Sequence, residues 1–182
     1  MTACTLRPAA PDDARFLFDL YAGSRLDELA GAGWTAPQCD TFLRLQYAAR
    51  DAHYRSAFPE AIDQIALCGD TVAGRLLVDR RADALHIVDV ALLPACRGQG
   101  VGSALLRELQ REAEATQRQV LLHVEMHNRA RALYRRLGFA EIETLGLHVS
   151  MCWSAPKPAR PTTGAAELPV RSVPREPAPA SY

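Results

Sequence analysis

The chain has 182 residues, enough for one well-buried domain, and nothing in its length calls for a second. Lys plus Arg and Asp plus Glu stand at 21 each, so no global field draws the protein onto nucleic acid or an anionic membrane, and any bound anion must be held locally. No apolar run approaches the roughly 20 residues that span a bilayer, and Met1 to Ala10 lacks the apolar core of a signal peptide, so the cytoplasm is the expected location.

The five cysteines, Cys4, Cys39, Cys68, Cys96 and Cys152, are odd in number and far apart. That fits neither a disulfide framework nor the paired spacing of a zinc site, so reduced, mostly buried thiols are expected and no metal is implied. Cys96 alone abuts an arginine and a predicted helix start, both of which favour a thiolate.

In chain order, Leu6 to Ala9 reads as a short strand, and Pro11-Asp12-Asp13 opens a helix whose Leu17, Leu20, Tyr21 and Ser24 share a face. Gly31 and Gly33 separate it from a second helix over Pro37 to His53, with Phe42, Leu45 and Ala49 as its apolar stripe. Three strands follow, Ile62 to Cys68, Val72 to Val78 and Leu85 to Leu93, divided by Gly69-Asp70 and by Arg80 to Asp83 in the manner of an antiparallel meander. The third is apolar on both faces from Ile87 on, which makes it central.

Val101, Leu105, Leu109 and Ala113 then recur at helical spacing, and Val120 to Met126 forms another strand. Ala130, Leu133, Tyr134 and Leu137 make a last helical stripe that stops at Gly138, and Phe139 to Glu143 and Leu147 to Trp153 close the order. The last of these could offer an edge for a homodimer. The fold class is therefore α/β in the mixed α+β sense, one mostly antiparallel sheet flanked by helices over residues 1–153. From Ser154 to Tyr182 prolines recur among Ala, Thr, Arg and Glu, a composition that cannot bury enough surface to offset its ordering entropy, so a disordered tail is expected.

Arg97-Gly98-Gln99-Gly100-Val101-Gly102 follows the central strand and opens an amphipathic helix, so several backbone N–H groups converge at the positive end of the helix dipole. Glycines at 98, 100 and 102 let a phosphate approach the main chain, and Arg97 adds a charge-assisted donor. A Walker loop is excluded, because Ser103-Ala104-Leu105 follows Gly102 where Lys and Ser or Thr are required. A dinucleotide fingerprint is a closer rival, with Glu125 placed for a ribose, but Ser103 stands at its third glycine and a meander precedes the turn.

With these residues in place, the chain resembles the GNAT superfamily of N-acetyltransferases over nearly all of residues 4 to 153. The resemblance rests on Arg97 to Gly102, which is similar to the family's pyrophosphate loop, on Val90-Ala91-Leu92-Leu93-Pro94, and on Asn128 to Phe139 with its Leu133-Tyr134 and Leu137-Gly138-Phe139. It implies acetyl-CoA as co-substrate, an amine acceptor, and no metal. By resemblance, the amides of Gly98, Gln99, Gly100, Val101, Gly102 and Ser103 hold the coenzyme A pyrophosphate. Val90, Ala91 and Leu92 pair with pantetheine like an added strand, and the Leu92 amide polarises the acetyl carbonyl.

Tyr134 would be the general acid that protonates the leaving thiolate, its competing role being ordinary packing. Asn128 would bond the pantetheine arm, although Tyr134 follows it by six positions where the family usually has seven, which leaves His127 in the usual register.

Acetyl transfer also needs a proton acceptor for the amine. His123, facing the same way as Glu125, is one candidate, and Asp89 is the other. Asp89 has a structural alternative as the partner of an arginine such as Arg75 or Arg80. His86 and His148 are expected to be structural, His53 lies at a helix end, and Asp27 and Glu28 are placed between the first two helices, near the acceptor. A coenzyme A-binding module without catalysis is the rival function.

Overall fold

In the computed structural model, which describes residues 4–29, 31 and 33–155 apart from the side chains at 27 and 28, the expected turns separate a run of strands. They are β1 (Cys4–Pro8), β2 (Ile62–Cys68), β3 (Thr71–Arg80), β4 (Ala84–Leu92), β5 (Gln119–Glu125), β6 (Ala140–Leu145) and β7 (His148–Trp153). One sheet results, in the order β1-β2-β3-β4-β5-β7-β6, with β4 and β5 parallel and every other neighbour antiparallel. The antiparallel run from β1 to β4 is incompatible with the doubly wound sheet of a dinucleotide fold. The strand proposed as a free edge, β7, lies inside the sheet, because β6 folds back outside it. The proline-rich stretch lies outside the described residues from position 156 on.

Helices α1 (Ala14–Leu29), α2 (Ala36–Ala57), α3 (Val101–Ala115) and α4 (Ala130–Arg136) begin and end where local chemistry allows. The Asp13 carboxylate accepts from the Ala10 amide at 2.8 Å, and the Thr35 amide donates to Gln38 Oε1 at 2.8 Å. At the end of α4, Gly138 has φ +84°, and the Phe139 amide reaches the Tyr134 carbonyl at 3.0 Å, a Schellman stop. Asp27 and Glu28, expected in a connection, belong to the last turns of α1.

Val101, Leu105, Leu109 and Ala113 of α3 are all buried, as their spacing predicts, and so are Leu17, Leu20 and Tyr21 of α1. Ser24 is instead exposed, its hydroxyl donating back to the Tyr21 carbonyl at 2.7 Å. The α2 stripe also needs correction. Leu43 is the buried residue, while Leu45 is 67% exposed and joins Trp34, Pro37 and Phe42 along an open apolar trough; Ala49 is exposed too. The face that meets α1 runs through Leu43, Tyr47, Arg50 and Tyr54, three amphipathic side chains in four, so its apolar signal is faint.

The sheet is closed at one end and open at the other. Parallel rungs join β4 to β5 from Ala84↔Gln119 to Ile87↔Leu122, and none joins them beyond that among the described residues. From there β4 continues to Leu92 beside β3, and β5 to Glu125 beside β7. A bulge marks the parting: Leu77 pairs with Asp89 but Val78 with Ile87, leaving Val88 extra. The two strands thus diverge as a V.

Candidate active site

The Leu93 amide donates to the Ala73 carbonyl of β3 at 2.9 Å. Alternation along an antiparallel strand then turns the amides and carbonyls of Leu92 and Val90 the other way, into the V. The β4 edge is accordingly a short ladder of main-chain groups without a neighbouring strand. Gly74 on β3 makes its close fit possible, since a Cβ there would lie 2.1 Å from the Ala91 carbonyl oxygen. Sequence reasoning passed over Gly74, whose constraint comes from a strand that is remote along the chain.

At the end of this edge the chain turns into α3. Gly98 and Gly100 have φ of +72° and +86°, conformations that favour glycine, and a Cβ on either would project into open space. Ala104 is the first α3 residue to close a helical bond, to the Gly100 carbonyl at 2.9 Å, so the amides of Val101, Gly102 and Ser103 point out of the helix start without helical acceptors. Gly102 differs from the other two glycines: a Cβ there would touch Leu92 and Leu133 at 3.5 Å, ordinary contact. Arg97 donates its Nε to the Leu92 carbonyl at 2.9 Å, which sets its guanidinium beside the loop, and Gln99 Nε2 ties to the Ala95 carbonyl at 2.6 Å. Cys96 packs beneath the loop against Val101 and Leu105, a structural place, and all five cysteines are free thiols.

Tyr134 approaches from α4. It is 6% exposed and its ring packs edge-on against Phe139 at 5.8 Å, so the packing role anticipated for it is filled. Among the described residues its hydroxyl has no hydrogen-bond partner. Burial, followed by the charge of Asp89, pushes its pKa up to about 12, so the hydroxyl keeps its proton at neutral pH. A Cβ on Gly102 would lie 3.5 Å from both Leu92 of β4 and Leu133 of α4, so α4 and the outer part of β4 approach each other at the V.

Asp89 projects from the face of β4 opposite α3, since Val90 packs toward α3. There it meets Arg75 Nη1 at 3.1 Å and Arg50 Nη2 at 3.6 Å. Its structural alternative is therefore realised with Arg75, while Arg80 turns to Glu112 at 2.9 Å, and Arg50 is a partner the sequence did not suggest. Arg75 also grips Asp63 through Nε and Nη2, both at 2.8 Å. Burial works against the Arg75 charge, yet the bonds to Asp63 and the charges of Asp89 and Asp63 hold its pKa above the usual arginine value.

His123 begins the divergent part of β5 and is exposed with Glu125, whereas Leu122 and Val124 are buried against α3. Asp89 and His123 thus stand on the two arms of the V, on one face of the sheet. Asn128 is exposed, and its Oδ1 accepts from the Ala130 amide at 2.8 Å, so it helps start α4. Among the described residues no cluster of side chains is arranged to hold a metal, and no helix is long and apolar enough to cross a membrane.

Residues 61–141 match the family model described as an acetyltransferase (GNAT) domain. The whole fold is similar to that of the PaiA N-acetyltransferase from Thermoplasma acidophilum, solved in complex with coenzyme A, at 18% identity over 84% of this chain and 99% of that one, with a TM-score of 0.63. An acetyltransferase from Thermus thermophilus is 18% identical over 84% of this chain and 97% of its own, with a TM-score of 0.61. A variant of the SpeG spermidine N-acetyltransferase from Vibrio cholerae is 16% identical over 83% and 93%, with a TM-score of 0.55.

Proposed function

Since residues 61–141 match a model of the acetyltransferase (GNAT) domain and the fold is similar to that of solved N-acetyltransferases, we propose that this protein transfers the acetyl group of acetyl-CoA directly to a primary amine. One observation carries the reading: an unpaired β4 edge runs straight into a helix start with unsatisfied amides. A pyrophosphate is the anion that suits amides 98 to 103 with Arg97, and an extended pantetheine arm suits the strand-like edge at Val90 to Leu92. Coenzyme A joins both chemistries in one molecule. The Asn128 side-chain amide lies on the approach to α4, where it would bond that arm.

The reaction follows from the placement. The acceptor nitrogen, after giving up one proton, attacks the acetyl carbon, and negative charge grows on the carbonyl oxygen, where the Leu92 N–H stabilises it. As the C–S bond breaks, the thiolate takes the Tyr134 proton, and the second proton that the nitrogen loses on becoming an amide returns through solvent to the tyrosinate. The proton shed by the ammonium goes to Asp89 or His123, which flank the V on the acceptor's face. The rival, a coenzyme A-binding module without catalysis, draws on the Asp89 ion pairs, which engage one candidate base.

Calorimetric titration with acetyl-CoA tests the first step, using wild type, Gly100→Ala and Gly100→Glu. Both substitutions carry the same strain at φ +86°, of about 1–2 kcal/mol, but only the glutamate puts a carboxylate in the cradle. Binding that survives in the alanine variant and vanishes in the glutamate variant supports the site. Equal affinity in all three would remove the loop from coenzyme binding, and no binding by wild type would sink the transferase reading. Turnover with any amine, followed by thiol release, excludes the non-catalytic rival.

A further inference from the structure

Arg50 is poorly satisfied for a residue so enclosed. Its guanidinium lies 4.4 Å from the ring centre of Tyr21, 5.4 Å from Tyr54 and 5.7 Å from Tyr47, and its side chain is 25% exposed. Its Nε is buried with no hydrogen-bond partner, and the one carboxylate paired with it among the described residues, Asp89, stands at 3.6 Å, too far for a hydrogen bond. A guanidinium offers five N–H donors, and burying one unpaired is unfavourable. Arg75, by contrast, has its fork filled by Asp63 at 2.8 Å.

The loose pair lies on the acceptor's side of the V. Arg50, 3.6 Å from Asp89, lies 5.4 Å from the Tyr54 ring of α2, so the pair stands against the α2 tyrosines, and the charge of Asp89 also reaches Tyr134 of α4, the tyrosine assigned to the departing thiolate. Among the described residues the charged groups that reach the pair and its tyrosine wall are Arg25, Arg50 and Arg75 against Asp51, Asp63 and Asp89, an even balance. A lone cation entering here would face Arg50, and a lone anion would face Asp89. A zwitterion divides the pair and keeps the balance: its carboxylate takes the Arg50 fork, and its ammonium takes Asp89.

We propose that the loose Arg50–Asp89 pair, walled by Tyr21, Tyr47 and Tyr54, is the acceptor subsite, and that it selects amines bearing an adjacent carboxylate, the α-amino acid class. This rests on the acetyl-transfer reading. Arg50 is a specificity residue that holds the carboxylate, while the amine beside Asp89 loses its proton and attacks as described above. The tyrosine rings favour an acceptor with an apolar or aromatic side chain.

The test uses matched probes: L-phenylalanine against phenethylamine, L-leucine against isoamylamine, and L-lysine against cadaverine, each with acetyl-CoA and thiol detection. Wild type is expected to prefer the amino acid by about 10- to 100-fold in kcat/KM in at least one pair, the range of a lost charged hydrogen bond. In Arg50→Gln that preference should collapse through a higher KM for the amino acid, so that the ratio of amino acid to plain amine falls toward one, while acetyl-CoA binding is retained. Arg50→Lys, which keeps the charge without the fork, should fall between, and thermal unfolding of each variant checks folding.

Plain amines used as well as amino acids by wild type would overturn the proposal, as would an Arg50→Gln loss that strikes both members of a pair equally. A readout without turnover is calorimetric binding of the same amino acids to the protein with and without coenzyme A. If acetyl-CoA fails to bind while Arg50-dependent amino acid binding persists, the transfer reading fails and the subsite stands. If acetyl-CoA binds and no amino acid does, the subsite fails alone.

Discussion

Replacing Gly74 by alanine should damage the protein more than the same change at any other described glycine, since only there would the new Cβ meet backbone within 3.0 Å. The new Cβ would fall 2.1 Å from the Ala91 carbonyl oxygen, 2.7 Å from Leu92 Cδ2 and 3.0 Å from Leu92 Cα, with backbone as the nearest obstacle. Relief to even 3.0 Å requires β4 to retreat by about 0.9 Å, the difference between 3.0 and 2.1. Ladder bonds near 2.9 Å would then stretch past hydrogen-bonding range, and two such bonds at ~1 kcal/mol each, with ~1–2 kcal/mol of overpacking, give about 3–4 kcal/mol. Urea unfolding should show a midpoint lower by about 1–2 M. Because the displaced atoms include the Leu92 main chain, acetyl-CoA affinity measured on the folded variant should fall as well. A variant with wild-type midpoint and affinity would refute the reasoning, for it would mean that β3 and β4 separate freely at this point.

Tyr134→Phe should lower kcat by about 10²- to 10⁴-fold while leaving the melting temperature nearly unchanged, since the ring contact with Phe139 survives; measured turnover close to wild type would restrict Tyr134 to packing. With its pKa raised to about 12, Tyr134 stays protonated, so the wild-type pH–rate profile should show no alkaline loss from this group below about pH 11. Asp13 behaves in the opposite sense: the bond from Arg7, then that from the Ala10 amide, hold its pKa at about 2 against an ordinary 3.8. The depressed value means its contribution to stability is present above about pH 4 and lost as pH falls through about 2. Asp13→Asn should therefore narrow the difference in urea midpoint between pH 5 and pH 2, and an unchanged difference would contradict the assignment. Gly23→Ala, in the exposed body of α1 where a Cβ meets nothing within 4 Å, should raise stability by about 1 kcal/mol in the same unfolding assay.

What could be read from the sequence was what local chemistry controls. The Arg97 to Gly102 loop announced itself because three glycines, an arginine and an amphipathic helix occupy adjacent positions, and α3 was plain because Val101, Leu105, Leu109 and Ala113 share one clean apolar face. The buried face of α2 was hidden because Tyr47, Arg50 and Tyr54 present rings and a guanidinium where a stripe is usually aliphatic, while Phe42 and Leu45 supplied a competing stripe that the fold leaves outside. Gly74 and the bulge at Val88 escaped notice for another reason. Each depends on a pairing between strands, and neither a lone glycine in an apolar run nor an apolar residue within one carries a mark of its register. Asp89 fell between the two kinds: its need for a partner followed from its apolar neighbours, but the identity of Arg50 depended on how α2 lies on the sheet.

The V between β4 and β5 behaves as a pair of tongs whose rivet lies out of sight. Its arms touch only from Ala84↔Gln119 to Ile87↔Leu122, and Leu85, Ile87, Val120 and Leu122 in that stretch are all buried. From Ile87 to Leu92 the arm is about 16 Å long at ~3.3 Å per residue, so a tilt of about 4° at the rivet swings the Leu92 amide by about 1 Å. A misplacement of that size can slow a positioned reaction by about 10²-fold. Conservative changes among these four aliphatic side chains, none of which borders the mouth, therefore adjust the gap at its far end by leverage, and tuning of this cleft is to be sought in the core as much as along its walls.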